Sequence, residues 1–314
     1  VRQRSNFSIA LLLGLAYGAT LGGVATLVGT PPNAFMVGFM SDSYGVEVDF
    51  ARWMLVGVPV SAVLLPIAWL TLTRIIFPVS FTASADAMKH IGQMRTALGP
   101  MSTAEARTAM LFAFLVIGWV GRGFLSGVPV IGSISDTGIA MIAAVAAFLI
   151  PSGKDGKALM VWEDMSKLPW GVLILFGGGI ALGNAVKSTG LSVWLGGNLE
   201  ALGVLPTLLF VAAVVAMVIF PTELTSNVAT MTTLAPILGA MATGIGAHAA
   251  SFLAPAAIAA SCAFMLPVAT APNAIVYATN SVPIRDMTRK GFQLNLLGIG
   301  IITLIGFFLA PLVV

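Results

Sequence analysis

The chain alternates long apolar runs with short polar interruptions, and the runs have the length of membrane spans. Ser8–Val28, Trp53–Phe77 and residues 107–125, 136–151 and 168–186 are predominantly apolar. About 20 such residues in a helix cross the hydrocarbon core of a bilayer. Leu205–Phe220, Met231–Ala247, 250–268 and 291–313 continue the series. Residues 78–106, with Lys89, His90 and Arg95, form the longest polar connection and are expected to carry an interfacial helix. An amphipathic segment over 190–202 has the same character, and Trp162 and Trp170 flank 168–186 as interfacial anchors.

Three interruptions are unlike ordinary loops. Pro221–Thr233 reads PTELTSNVATMTT, Gly29–Ala34 reads GTPPNA and Ala269–Ala274 reads ATAPNA. Each sets proline, small hydroxyls and an asparagine against strongly apolar sequence. Proline removes a backbone donor and pushes its predecessor out of the helical region, so a helix cannot run through these motifs unbroken. Backbone freed at membrane depth is tolerated only where protein buries it or where it lines a cavity. In carriers that cavity is the binding site. The plain alternative for Pro221–Thr233 is a polar surface loop between two spans.

Composition supports a membrane reading. The chain has 314 residues, 58% hydrophobic and 9% charged, where soluble domains are about a quarter charged, and its mean hydropathy is +1.00. The net charge of +3 does not indicate nucleic acid, because the basic residues sit at the ends of apolar runs. With the N-terminal end cytoplasmic, all of the 15 Lys and Arg except Arg52, Arg122 and Lys187 fall on the cytoplasmic side. That follows the positive-inside rule and puts the C-terminus outside. The parity is the same whether Leu205–Ala247 is a re-entrant hairpin or two full spans.

Other residue types add little chemistry. Cys262 is the one cysteine, so no intrachain disulfide forms, and a small buried packing role suits it. His90 and His248 lie in expected loops without metal-ligand spacing. Gly177–Gly179 has no P-loop lysine and reads as close helix packing. A membrane enzyme would need a nucleophile–base pair or paired acids within spans, and none is found. The first residue is Val1, with no signal-peptide pattern, so the chain is expected to begin within a longer protein.

GTPPNA and ATAPNA match at Thr30/Thr270, Pro32/Pro272, Asn33/Asn273 and Ala34/Ala274. Each is followed by Asp-x-x-Arg before the next span, Asp49/Arg52 and Asp286/Arg289. By itself the second match would be a helix N-cap with a flanking base; the two together indicate internal duplication. In the topology above, the first break lies in a span running outward and the second in one running inward. That predicts an inverted repeat whose broken helices meet near the midplane.

These motifs, with Ala19–Gly23 and Leu266–Ile275, resemble the divalent anion:sodium symporter family over the whole chain. The fold this implies is an all-α polytopic membrane protein, an inverted-repeat transporter with broken helices and a re-entrant hairpin. Residues 1–77 would be the end of the first repeat and 78–106 a cytoplasmic linker. Residues 107–314 would be the second repeat, with its hairpin at 205–247, its broken helix at 250–283 and a last span. The resemblance implies a hairpin before Gly29 that this chain does not contain.

It also implies a site. Sodium would be held by Thr222, Thr225, Asn227 and the Ala269 carbonyl, with Gly29 belonging to a second sodium site. Ser226, Asn227, Val228, Thr270 and Ala271, with Thr30 and Pro31, would face the substrate. Val228 stands where the family has Thr, and Ala271 where it often has a second Pro. The expected activity is sodium-coupled symport of C4-dicarboxylates across the cytoplasmic (inner) membrane by alternating access. A sulfate or tricarboxylate carrier, or an exchanger, on the same scaffold is the alternative. Sodium is the coupling ion, no organic cofactor is expected, and the implied assembly in the bilayer is a homodimer. Glu223, the one acid near the hairpin, is expected to hold hairpin backbone rather than carry protons.

Overall fold

The computed structural model describes residues 6–78, 85–125, 134–153, 156–168, 170–191, 194 and 206–313. These are helical almost throughout. In chain order the helices are α1 Asn6–Val24, α2 Pro31–Tyr44, α3 Phe50–Leu70, α4 Ala85–Ala97, α5 Thr103–Leu125, α6 Asp136–Leu149, α7 Trp170–Ser188, α8 Thr207–Thr222, α9 Asn227–Gly244, α10 Ala250–Ser261, α11 Ala271–Ala278 and α12 Ile284–Leu309. Among the described residues four helical stretches are long and apolar enough to cross a membrane: Asn6–Val24, Phe50–Ile76, Thr103–Arg122 and Ile284–Leu312. The expected segment over 190–202 lies largely outside the described residues.

By packing, the chain forms two compact units. One takes Asp49–Ala51 and Ser80–Pro169, the other Val1–Val48, Arg52–Val79 and Trp170–Val314. In the smaller unit α5 packs on α6, and Asp136 at the start of α6 ties the two helices together. Its carboxylate accepts from Arg122 Nη1 at 3.3 Å and from the Phe50 amide at 2.9 Å, while its carbonyl accepts from Trp119 Nε1 at 3.0 Å. Phe50 stacks on Trp119 with ring centroids 4.9 Å apart. The helix expected within 78–106 is α4, where Met88, Ile91 and Met94 make an exposed apolar stripe at helical spacing. The span expected at 136–151 is only 14 residues of helix. Ile150 turns extended ahead of Pro151, which disfavours a helical predecessor.

The larger unit holds the breaks. Here α10 packs on α8, α9, α12 and α2, α1 packs on α11, and α7 lies against α9 and α2. The core is therefore centred on α10, nearly all of whose residues are buried. The glycine run in α7 serves close packing, as its sequence suggests, but through one of its three residues and a later one. A Cβ on Gly179 would strike the Phe35 ring and one on Gly183 the Phe39 ring, whereas Gly177 and Gly178 face open space.

Two sequence expectations change at the last helix. The final helix is longer than the apolar run 291–313, because α12 begins at Ile284 and includes Arg285, Arg289 and Lys290. Asp286 is not the N-cap either. Pro283 occupies that position, and Asp286 sits in the first turn, where a carboxylate favours the positive end of the helix dipole.

In α12, Gly291 allows the helix to touch the second break. A Cβ there would lie 2.2 Å from the Phe264 carbonyl oxygen, while Gly300 in the same helix has nothing within 4 Å. In a full-length protein containing this chain, Gly291→Ala is expected to cost about 1–3 kcal/mol through overpacking. Gly300→Ala should be neutral or slightly stabilising. Thermal unfolding of the two variants in detergent compares them, and equal melting temperatures would contradict the close contact.

Candidate functional site

Both breaks are built the same way. Thr30 and Thr270 are extended residues preceding α2 and α11, at φ −139°, ψ 142° and φ −138°, ψ 152°. Proline follows within the first two helical positions of each, where its missing donor costs nothing. The asparagine of each motif, Asn33 or Asn273, is fully buried. Asn33 Nδ2 donates to the carbonyls of Thr26 at 3.0 Å and Val24 at 3.5 Å. Asn273 Nδ2 donates to those of Leu266 at 3.1 Å and Ala263 at 3.0 Å. Each asparagine thus supplies donors to carbonyls that the interrupted helix leaves open. In both, the amide Oδ1 is buried without a hydrogen-bond partner among the described residues.

The second break is longer than its motif. Helix α10 ends at Ser261, so the non-helical segment runs from Cys262 to Thr270, and ATAPNA contributes only its last part. The Pro221–Thr233 stretch, by contrast, is mostly helix. Helix α8 carries Pro221 and Thr222, α9 begins at Asn227, and the turn is Glu223–Ser226. Thr230, Thr232 and Thr233 lie within α9.

Around this turn three oxygens converge. Thr222 Oγ1 lies 2.9 Å from Asn227 Oδ1 and 2.8 Å from the Ala260 carbonyl. The hydroxyl has one proton for two acceptors, which leaves oxygen lone pairs facing one another. Ala260 O belongs to the C-terminal end of α10, the negative pole of a half-helix. Thr225 Oγ1 pairs with Thr230 Oγ1 at 2.6 Å and donates to the Pro221 carbonyl. Thr270 Oγ1 caps α11 by accepting from the Asn273 amide at 3.3 Å. Ser226, Thr225, Ala271, Pro31 and Gly29 are exposed, whereas Val228 and Ala269 are buried.

The two breaks are also joined. Ser261 Oγ donates to Thr30 Oγ1 at 3.0 Å, and Tyr17 Oη in α1 donates to the Phe264 carbonyl in the second break at 2.7 Å. Trp53 Nε1 in α3 donates to the Val24 carbonyl at the end of α1 at 3.1 Å. Ser261, Tyr17 and Asn295 were not singled out from sequence. An asparagine inside the apolar run 291–313, two residues after Gln293, is the available sign for Asn295.

Glu223 holds backbone, though not that of its own hairpin. One carboxylate oxygen accepts from the Phe264 and Met265 amides at 2.8 and 3.0 Å, and from Asn295 Nδ2 at 2.7 Å. The other accepts from Met265 at 3.0 Å and Leu266 at 3.1 Å. The partner is the opposed break. Among the described residues no Lys or Arg pairs with this buried carboxylate.

The donor set at the turn suits a hard monovalent cation. It consists of hydroxyl, amide and carbonyl oxygens at an unwound segment and a half-helix end, the type of ligand that holds sodium in broken-helix carriers. Among the described residues no three His, Cys, Asp or Glu gather elsewhere to hold a metal. The N-termini of α9 and α11 present positive dipole ends, which favour an anion.

Helices, breaks and tip together define an all-α polytopic membrane protein of the broken-helix type. Residues 3–314 match the profile of the sodium:sulfate symporter transmembrane region, and the chain belongs to that family. It is 39% identical over 310 residues to the sodium-dependent dicarboxylate transporter SdcS of Staphylococcus saprophyticus, and 38% identical over 310 residues to that of Staphylococcus aureus (strain USA300). Each alignment takes in 98% of this chain and 60% of the relative, so the chain spans well under two thirds of the relatives' length.

The shared role of Asn33 and Asn273 yields a test. Asn273→Ala takes the donor from the buried Ala263 carbonyl, at a cost of about 1–3 kcal/mol, and Asn33→Ala should cost less, because the Thr26 and Val24 carbonyls keep the Gly29 amide and Trp53 Nε1. Asn273→Asp should be worse than Asn273→Ala, because it sets acceptor oxygens against two carbonyls. Melting temperatures of full-length variants in detergent read this order, and the reverse order would contradict the donor role.

Proposed function

We propose that this chain is part of a sodium-coupled secondary transporter that carries C4-dicarboxylates such as succinate, malate and fumarate into the cell across the cytoplasmic membrane. The observation that carries the reading is the convergence of Thr222, Asn227 and Ala260 oxygens at the N-terminus of α9. A cation and an anion would then bind next to each other. Thr222, Thr225, Asn227 and the Ala269 carbonyl are assigned to sodium, and Gly29 to a second sodium site. Ser226, Asn227, Val228, Thr270, Ala271, Thr30 and Pro31 are assigned to the substrate. The buried side chain of Val228 would contribute shape rather than a hydrogen bond.

None of these residues is cationic. Bound sodium would supply the positive charge, and anion affinity would depend on it. Such mutual dependence is a coupling free energy between two sites. The names of the relatives support both the ion and the substrate class.

The packing supports an inverted repeat. Helix α1 lies along α11 and α2 along α10, so the leading half of one broken helix meets the trailing half of the other. That is the pattern of two broken helices running in opposite directions. Alternating access would then turn on the fixed site between them. At 16 and 18 residues, α8 and α9 are roughly 24 and 27 Å long at 1.5 Å per residue, shorter than the roughly 30 Å core. This favours a re-entrant hairpin over two full spans. A cytoplasmic N-terminal end, an external C-terminus and a homodimer complete the proposal.

Uptake of labelled succinate by a full-length protein containing this chain, in proteoliposomes with and without a sodium gradient, tests it. Uptake that ignores sodium would sink the symport reading, and parallel assays with sulfate and citrate decide between substrate classes. Asn227→Ala should lower sodium-driven uptake at least a hundredfold; near-normal rates would remove Asn227 from the site. Val228→Thr is expected to shift the preference among these anions, and an unchanged profile would count against Val228 lining the substrate site.

A further inference from the structure

We infer that Glu223 is the positioning residue that sets sodium affinity, acting through the break Cys262–Thr270 without touching the ion. The inference rests on the assignment of Thr222, Asn227 and Ala269 to sodium given above. Glu223 follows Thr222 directly, and its carboxylate gathers three consecutive amides, Phe264, Met265 and Leu266, together with Asn295 Nδ2. These amides open the segment that ends in Ala269 and Thr270. The carbonyl assigned to sodium therefore lies on a strip of backbone anchored to the residue beside the hydroxyl assigned to sodium.

Nothing else described fixes this strip so firmly to the hairpin. Leu266 O is held by the Ala269 amide at 3.3 Å and by Asn273 Nδ2, both from its own broken helix. Tyr17 and Gly291 meet the Phe264 carbonyl from α1 and α12. The link from the hairpin tip to this strip runs through Glu223.

The choice of a carboxylate is informative. Three backbone donors and an amide could be met by a carboxylate's four lone-pair positions, whereas a glutamine would turn a donor toward at least one of them. Hydrogen bonds to an ionised acceptor are also about twice as strong as neutral ones. A buried charge without a basic partner is costly unless donors or a cation offset it. The four donors supply part of that compensation, and a sodium ion at the neighbouring residue would supply the rest. A single group thus shapes the ion site and adds negative charge near it.

Full-length protein in proteoliposomes provides the test. Glu223→Gln should raise the sodium concentration for half-maximal succinate uptake at least tenfold, with uptake at saturating sodium within about threefold of the parent. Glu223→Asp keeps the charge on a shorter stem and should raise it three- to tenfold, so it serves if the Gln variant does not fold. An unchanged half-saturation in either folded variant, with only the maximal rate lowered, would mark Glu223 as a plain strut and overturn the inference. Hydrogen–deuterium exchange gives a second readout that needs no transport. The amides of Phe264–Leu266 should exchange at least tenfold faster in Glu223→Gln, and equal exchange would also overturn it. Sodium-independent uptake by the parent would defeat the transport reading instead, and the exchange result would still judge the anchor.

Discussion

The constraint on which this fold depends is the need to satisfy backbone where helices are interrupted inside a low-dielectric protein. An unpaired buried carbonyl or amide costs on the order of 1–3 kcal/mol, and each break exposes several. The protein meets this need with side chains. Asn33 and Asn273 donate to carbonyls of the two breaks, Tyr17 to one more, Trp53 to the Val24 carbonyl that Asn33 also meets, and Glu223 accepts the amides. The position of α10, buried on all sides, follows from this. An interruption at its end could exist only where hairpin, α2 and α12 all enclose it.

The same constraint bears on the proposed site, none of whose assigned residues is cationic. Half-helix ends already carry partial charges of both signs, negative at Ala260 and positive at the starts of α9 and α11. Neutral hydroxyls and amides then fix orientation. If an anion binds here as proposed, such partial charges would hold it less tightly than a buried arginine and would ease its release.

Much of the fold was legible in the sequence because apolar length and proline are direct physical signals. Four of the expected spans, the two matched motifs and the helix within 78–106 all followed from these. Segment boundaries were less legible. The second break begins at Cys262, well before its prolines' immediate neighbourhood, because the apolar residues Ala263–Leu266 look like helix and are held open by partners distant in sequence. Pro221–Thr233 looked like a long polar tip, yet the hydroxyls of Thr230 and Thr232 find partners within the hairpin, and the helix persists. In the site, Thr222, Asn227 and Thr270 fell where hydroxyls and an amide flank a break. Ser261 and Asn295 did not stand out, since an isolated serine or asparagine in an apolar run reveals its partner only once the chain is folded.

The stitch between Tyr17 and Phe264 has a consequence for how the protein is made. The two residues are 247 positions apart. At a synthesis rate of about 5–20 residues per second, the first broken helix emerges roughly 12–50 s before the carbonyl that Tyr17 will meet. The Thr30 hydroxyl has nearly as long to wait for Ser261. Through that interval the first break must be sheltered by the insertion machinery, by lipid headgroups or by other parts of the nascent chain. Assembly is therefore late and all at once. A ribosome stalled before the final quarter of this sequence would leave an inserted but unfinished bundle, a natural substrate for membrane quality control.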